Sequence, residues 1–112
     1  MSAFREPQGS SSPQQVAIFN QLQMLPALQG FDLRYRDGRI EGGDERGNKV
    51  SVSTGPEGVK FLSVTWSGRL YGARSTRSVK AEPFEYVGFD GRRGERPLSW
   101  LGRLLDSVGP SR

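Results

Sequence analysis

The sequence contains no cysteine and no histidine. The first absence removes disulfide staples, thiol nucleophiles and cysteine metal ligands; the second removes imidazole acid–base chemistry and the commonest zinc ligand. Redox compartment is thereby left unread, because a chain without thiols suits a reducing or an oxidising medium. No run approaches the roughly 18 continuous apolar residues of a membrane span. The opening residues, MSAFREPQGSSS, also lack the charged start and apolar core of a secretory signal. These absences lead us to expect a cytoplasmic protein without a membrane span. No cofactor motif is present either, so none is expected.

What is there is enough for one modest core. At 112 residues the chain should bury about two thirds of its unfolded surface. Its 34% hydrophobic, 10% aromatic and 25% charged residues place it at the polar end of globular composition, away from the aromatic-poor signature of disorder. Residues 1–12 are mostly Ser, Gln, Gly and Pro with Phe4 as the apolar anchor, which predicts a flexible arm. Residues 13–109 are expected to form a single domain and 110–112 a tail.

Ser11 and Ser12 precede Pro13, a capping pattern that starts a helix where proline's missing N–H costs nothing. Ile18, Leu22 and Leu25 follow at helical spacing, flanked by Val16 and Phe19. Pro26 ends this helix near Met24, with a short second turn before Gly30. From Phe31 the period becomes two: Phe31, Leu33 and Tyr35 alternate with Asp32, Arg34 and Arg36. Asp37-Gly38 is a hairpin turn into a strand at 39–42, and further strands are predicted at 49–54, 59–66 and 69–73. The 59–66 run is apolar on both sides, which suggests a central strand. With Val50 and Val52 of the neighbouring strand buried, Phe61 faces inward, leaving Trp66 and Tyr71 as the exposed rings. A last strand begins at Ser78 or Phe84 and runs to Phe89, with Pro83 suiting an edge or a bulge. Pro97 then opens a second helix whose stripe is Leu98, Leu101, Leu104, Leu105 and Val108, with Trp100 at its edge, before Gly109-Pro110 stops it. The expected fold is α+β: an N-terminal helix, an antiparallel meander of five to six strands forming a sheet or partly closed barrel, and a C-terminal amphipathic helix packed on it.

Two short motifs resemble known families. Gly42-Gly43-Asp44-Glu45 resembles the signature turn of diguanylate cyclases, but Arg46 stands where that motif has Phe and no second acidic strand end precedes it. A solvated hairpin with glycines at positive φ is the reading taken. Helix, strand, Asp-Gly-Arg turn and strand over Leu33 to Gly43 are similar to the start of Sm-type RNA-binding proteins, without their later Arg-Gly before a final strand. Asp37, Glu41, Asp44 and Glu45 cluster in sequence without the ligand spacing of a calcium loop.

The charge pattern is the strongest functional cue. Basic residues number 16 against 12 acidic ones, for a formal net charge of +4. Between Gly58 and Ala81, Lys60, Arg69, Arg74, Arg77 and Lys80 occur with no Asp or Glu. Apart from Lys49, Lys60 and Lys80 every basic residue is arginine, the side chain suited to bidentate carboxylate or phosphate contacts and to stacking. Arg92 and Arg93 lie in a glycine-rich loop, residues 88–96, that leads into the Pro97 helix start, a plausible anion site. The expected function is a non-enzymatic accessory or adaptor module that docks through this basic surface, residues 58–81 and the 88–96 loop, on an acidic protein partner or multi-subunit assembly. Its candidate binding residues are Lys60, Trp66, Arg69, Tyr71, Arg74, Arg77, Lys80, Arg92 and Arg93. The alternative is a single-stranded nucleic-acid-binding module using the same cations with Trp66 and Tyr71 as stacking residues.

Overall fold

The computed structural model describes residues 11–76, 84–92 and 94–108. Helix α1 spans Pro13–Met24, opened by a capping box. The Ser12 hydroxyl accepts from the Gln15 amide, and the Ser12 amide donates to Gln15 Oε1 at 2.8 Å. Leu25 is extended, as a residue before proline prefers, and a single 3₁₀ turn follows at Pro26–Leu28. Six strands come next, β1 (Arg34–Arg36), β2 (Arg39–Gly43), β3 (Lys49–Gly55), β4 (Gly58–Trp66), β5 (Arg69–Ser75) and β6 (Phe84–Val87), before helix α2 (Pro97–Val108).

The strands pair antiparallel in sequence order, β1-β2-β3-β4-β5-β6. The sheet is open and not a closed barrel. Two of its hairpins turn on paired positive φ angles, Asp37 (50°) with Gly38 (85°) and Ser67 (51°) with Gly68 (81°), the geometry that matches strand twist. The last strand begins at Phe84; the alternative start at Ser78 lies outside the described residues. Also outside them are the predicted arm through Ser10 and the Gly109-Pro110 stop.

Both helices lie on one face, where the expected cover for a half-buried sheet is found. From the sheet this inner face presents Tyr35, Ile40, Val50, Val52, Leu62, Val64, Trp66, Tyr71 and Ala73, all buried. Ile18, Phe19 and Leu22 of α1 and Trp100, Leu101, Leu104 and Leu105 of α2 pack over it. Trp100 is therefore not at the edge of its helix's stripe but fully buried. Its ring meets Tyr86 at 5.1 Å and its indole N–H donates to the Phe89 carbonyl at 3.1 Å. Gln15 ties the start of α1 to the sheet: its Nε2 donates to Thr54 Oγ1, which donates to the Gly38 carbonyl at 2.7 Å.

Strand β4 lies inside the sheet as expected, between β3 and β5, but the inward direction expected of Phe61 fails. Val59 pairs with Thr54 and Phe61 with Ser53, so Lys60 is an extra residue in a β-bulge. The bulge changes the parity of the strand: Val59 stays inside, but beyond it Leu62, Val64 and Trp66 point inward and Phe61 points out, 44% exposed. Trp66 and Tyr71 follow the inward set and are only 2% and 6% exposed. Neither is the exposed ring that the sequence suggested.

Candidate functional site

The outer face of the sheet carries no covering element among the described residues. Its residues follow from the register. One row across the strands reads Arg36, Arg39, Ser53, Phe61, Arg74 and Glu85, and the next reads Arg34, Glu41, Ser51, Ser63, Gly72 and Val87. A third passes through Lys49, Thr65 and Leu70. Serines, a threonine and a glycine form the middle of this face, because side chains left in water gain nothing from apolar bulk.

Against that polar middle, three large apolar side chains stand out. Phe61, Leu70 (66% exposed) and Val87 (57% exposed) all lie on the outer face, on β4, β5 and β6. The cations concentrate on β1 and β2, where Arg36 and Arg39 sit directly opposite one another. Like charges so placed repel, by a few tenths of a kcal/mol to about 1. Arg39 is paired with Glu41 at 2.9 Å, Arg34 with Asp32 at 3.1 Å and Arg74 with Glu85 at 2.9 Å. Arg36 and Lys49 have no ion-pair partner among the described residues. All three pairs are exposed, hold little free energy and can exchange a carboxylate for that of a ligand.

The residues singled out from sequence do not form one patch. Arg74 is on the outer face, whereas Arg69 shares the parity of Tyr71 and lies at the rim of the opposite face, about 17 Å away along β5. Lys60 is exposed in the bulge and Arg92 is exposed in the loop before α2. Arg77, Lys80 and Arg93 lie outside the described residues. Sequence reading takes Arg34 and Arg36 as outward and Arg39 only as the start of a strand, and gives none of the three a role. Their signal was the alternation of arginine with Leu33, Tyr35 and Ile40, which places them on one face.

The loop of residues 88–96 has a structural explanation. Glu95 accepts from the Arg92 amide at 3.0 Å and receives a two-pronged contact from Arg103, Nε to Oε2 at 3.0 Å and a terminal nitrogen to Oε1 at 2.9 Å. A carboxylate of the chain itself thus supplies the anion that the sequence suggested for this place. Arg103 also lies over the Phe89 ring at 4.7 Å and donates to the Asp90 carbonyl. Gly91 is pressed against the Tyr86 ring, where a Cβ would collide. The Arg103 guanidinium beside Glu95 holds its carboxyl below the usual glutamate range, against burial, which raises it; the Arg92 amide adds to the lowering.

The acidic hairpin is structural as well. Asp44 accepts from the Arg46 and Asn48 amides and from the Asn48 side chain at 2.8 Å. Burial raises the Asp44 pKa, and these bonds outweigh it to leave the group below its ordinary value. Buried Asn48 in turn accepts from the Ser67 amide at 3.0 Å, joining this turn to the β4–β5 turn. Among the described residues no group of three or more carboxylates could hold a metal ion, and no helix is long and apolar enough to cross a membrane.

No protein-family model, curated protein or solved structure matches this chain. The site is therefore read from its own chemistry.

Proposed function

We propose that the chain is a non-enzymatic accessory or adaptor module that docks on an acidic protein partner, or into a larger assembly, through the outer face of its sheet. The observation that carries this reading is the pairing, on one face, of excess arginine with exposed Phe61, Leu70 and Val87. Exposed apolar side chains grouped among cations suit a protein interface, where the apolar residues supply affinity and the charges supply orientation. Glu41 and Glu85 stand among the arginines on the same rows. That mixture suits a partner with discrete carboxylates better than a continuous phosphate chain.

Single-stranded nucleic acid is the second reading, now supported by Phe61 rather than by Trp66 and Tyr71. An aromatic ring on an open antiparallel sheet, with Arg74 beside it and Arg39 beyond Ser53 in the same row, can stack a base while the guanidinium groups meet phosphates. The test is affinity capture from native lysate, with and without nuclease, comparing the wild type with the Arg36→Glu plus Arg39→Glu variant. One dominant nuclease-resistant protein, held by the wild type and lost by the variant, is expected. Equal recovery on both overturns docking through this face, and nuclease-sensitive material without a dominant protein transfers the function to nucleic acid.

A further inference from the structure

Gly72 occupies the middle of β5, between buried Tyr71 and Ala73. Glycine weakens a strand interior, so its presence there points either to a backbone conformation other residues avoid or to the close approach of another group. The first reason does not apply, because Gly72 is not among the residues with positive φ. Among the described residues, a Cβ at this position would meet the Leu62 carbonyl oxygen at 3.3 Å and no side chain. Apart from that oxygen, no described residue comes within 4 Å of such a Cβ.

The neighbours of Gly72 give this space its character. Val87 and Ser63 are its direct cross-strand partners, Leu70 and Arg74 flank it two residues away on β5, and Phe61 lies on the diagonal. The three exposed large apolar side chains of the sheet thus ring a residue that has no side chain. Arg36, Arg39 and Arg74 line the adjoining row. The outward rows carry Arg34, Arg36, Arg39, Lys49 and Arg74 against Glu41 and Glu85, so a second copy would bring the same excess of positive charge to this face, whereas an extended acidic segment complements it.

We propose that the depression over Gly72 is a socket for one large apolar side chain, aromatic by preference, carried by an extended acidic segment of a partner protein whose carboxylates meet Arg36, Arg39 and Arg74. This rests on the docking function above and adds to it the form of the ligand and the position of its anchor.

The test uses fluorescein-labelled synthetic peptides read by anisotropy: a dodecapeptide of Glu and Gly with one central Trp, and the same peptide with Ser for Trp. The wild-type chain binds the Trp peptide about tenfold more tightly or better, the worth of burying one large apolar side chain. Gly72→Leu fills the socket and brings the two peptides within about twofold of each other. Leu70→Ser and Val87→Ser, at exposed positions that the fold does not need, reduce the same preference and serve if Gly72→Leu fails to fold. Arg36→Ser with Arg39→Ser weakens both peptides alike and leaves the preference intact. Equal binding of both peptides to the wild type overturns the socket while leaving acidic docking standing. Failure of both peptides overturns the socket and the docking function together, and binding of a twelve-residue oligothymidylate in their place assigns the face to nucleic acid.

Discussion

Leu62 and Phe61 are adjacent on β4, yet one is fully buried and the other 44% exposed. The same division separates Val52 from Ser53 and Ala73 from Arg74. On the inner face, side chains pack on one another and rings meet rings: Phe19 lies against Tyr35 at 5.6 Å, and Phe31 is stacked on Trp66 at 5.8 Å. On the outer face, large residues are few and stand among small ones. Apolar residues within the core are explained by stability, so Phe61, Leu70 and Val87 are the ones that need a different reason.

The sharpest way to break this contrast is to truncate both members of one adjacent pair. Leu62→Ala should lower unfolding free energy by about 2–5 kcal/mol through lost burial and a residual cavity. Phe61→Ala, at a position already in water, should change it by less than about 1 kcal/mol. Urea titration of the two variants decides the matter, and comparable losses would mean that the outer face is covered.

A smaller effect is expected at the Glu95–Arg103 contact, where half-buried charges stand in for apolar packing. Glu95→Gln should lower the melting temperature at neutral pH, since it removes the charge from the two-pronged contact with Arg103. The folded-state pKa of Glu95 is lowered from 4.5, so its stabilisation is present above that ordinary value and is lost as pH falls through the lowered one. Melting temperatures of wild type and variant should therefore converge only as the pH is taken below that lowered value. A gap that persists undiminished at acid pH would show that shape and not charge holds the loop.

The smallest effect belongs to Tyr35, whose buried hydroxyl has no hydrogen-bond partner among the described residues. Tyr35→Phe should be neutral or stabilising by up to about 1 kcal/mol, since it removes an unsatisfied polar group without opening a cavity. A clear loss of stability in denaturation would reveal a partner for that oxygen.

Much of the architecture was legible because its rules are local. Ser12-Pro13 opens α1, Asp37-Gly38 and Ser67-Gly68 turn hairpins, and Pro97 starts α2, each through the conformational limits of one or two residues. What could not be read was parity. Counting by twos from Val59 puts Phe61 inside and Trp66 outside, and one extra residue at Lys60 reverses both. A bulge leaves no mark in composition, so the candidate rings were assigned to the wrong side. The charge argument failed for a related reason: Arg69 and Arg74 are close in sequence but of opposite parity, so a linear cluster became two surfaces. Arg36 and Arg39 come together instead through a hairpin.

Because each strand pairs with its neighbour in sequence, the meander can form hairpin by hairpin as it leaves the ribosome, with little loop entropy to overcome. Helix α2, which supplies Trp100, Leu101, Leu104 and Leu105 to the core, is made after all six strands. A chain truncated before Pro97 would keep the strand order but leave bare the part of the apolar face that Trp100, Leu101, Leu104 and Leu105 cover. Loss or undocking of this one short helix therefore turns a packed sheet into an aggregation-prone one.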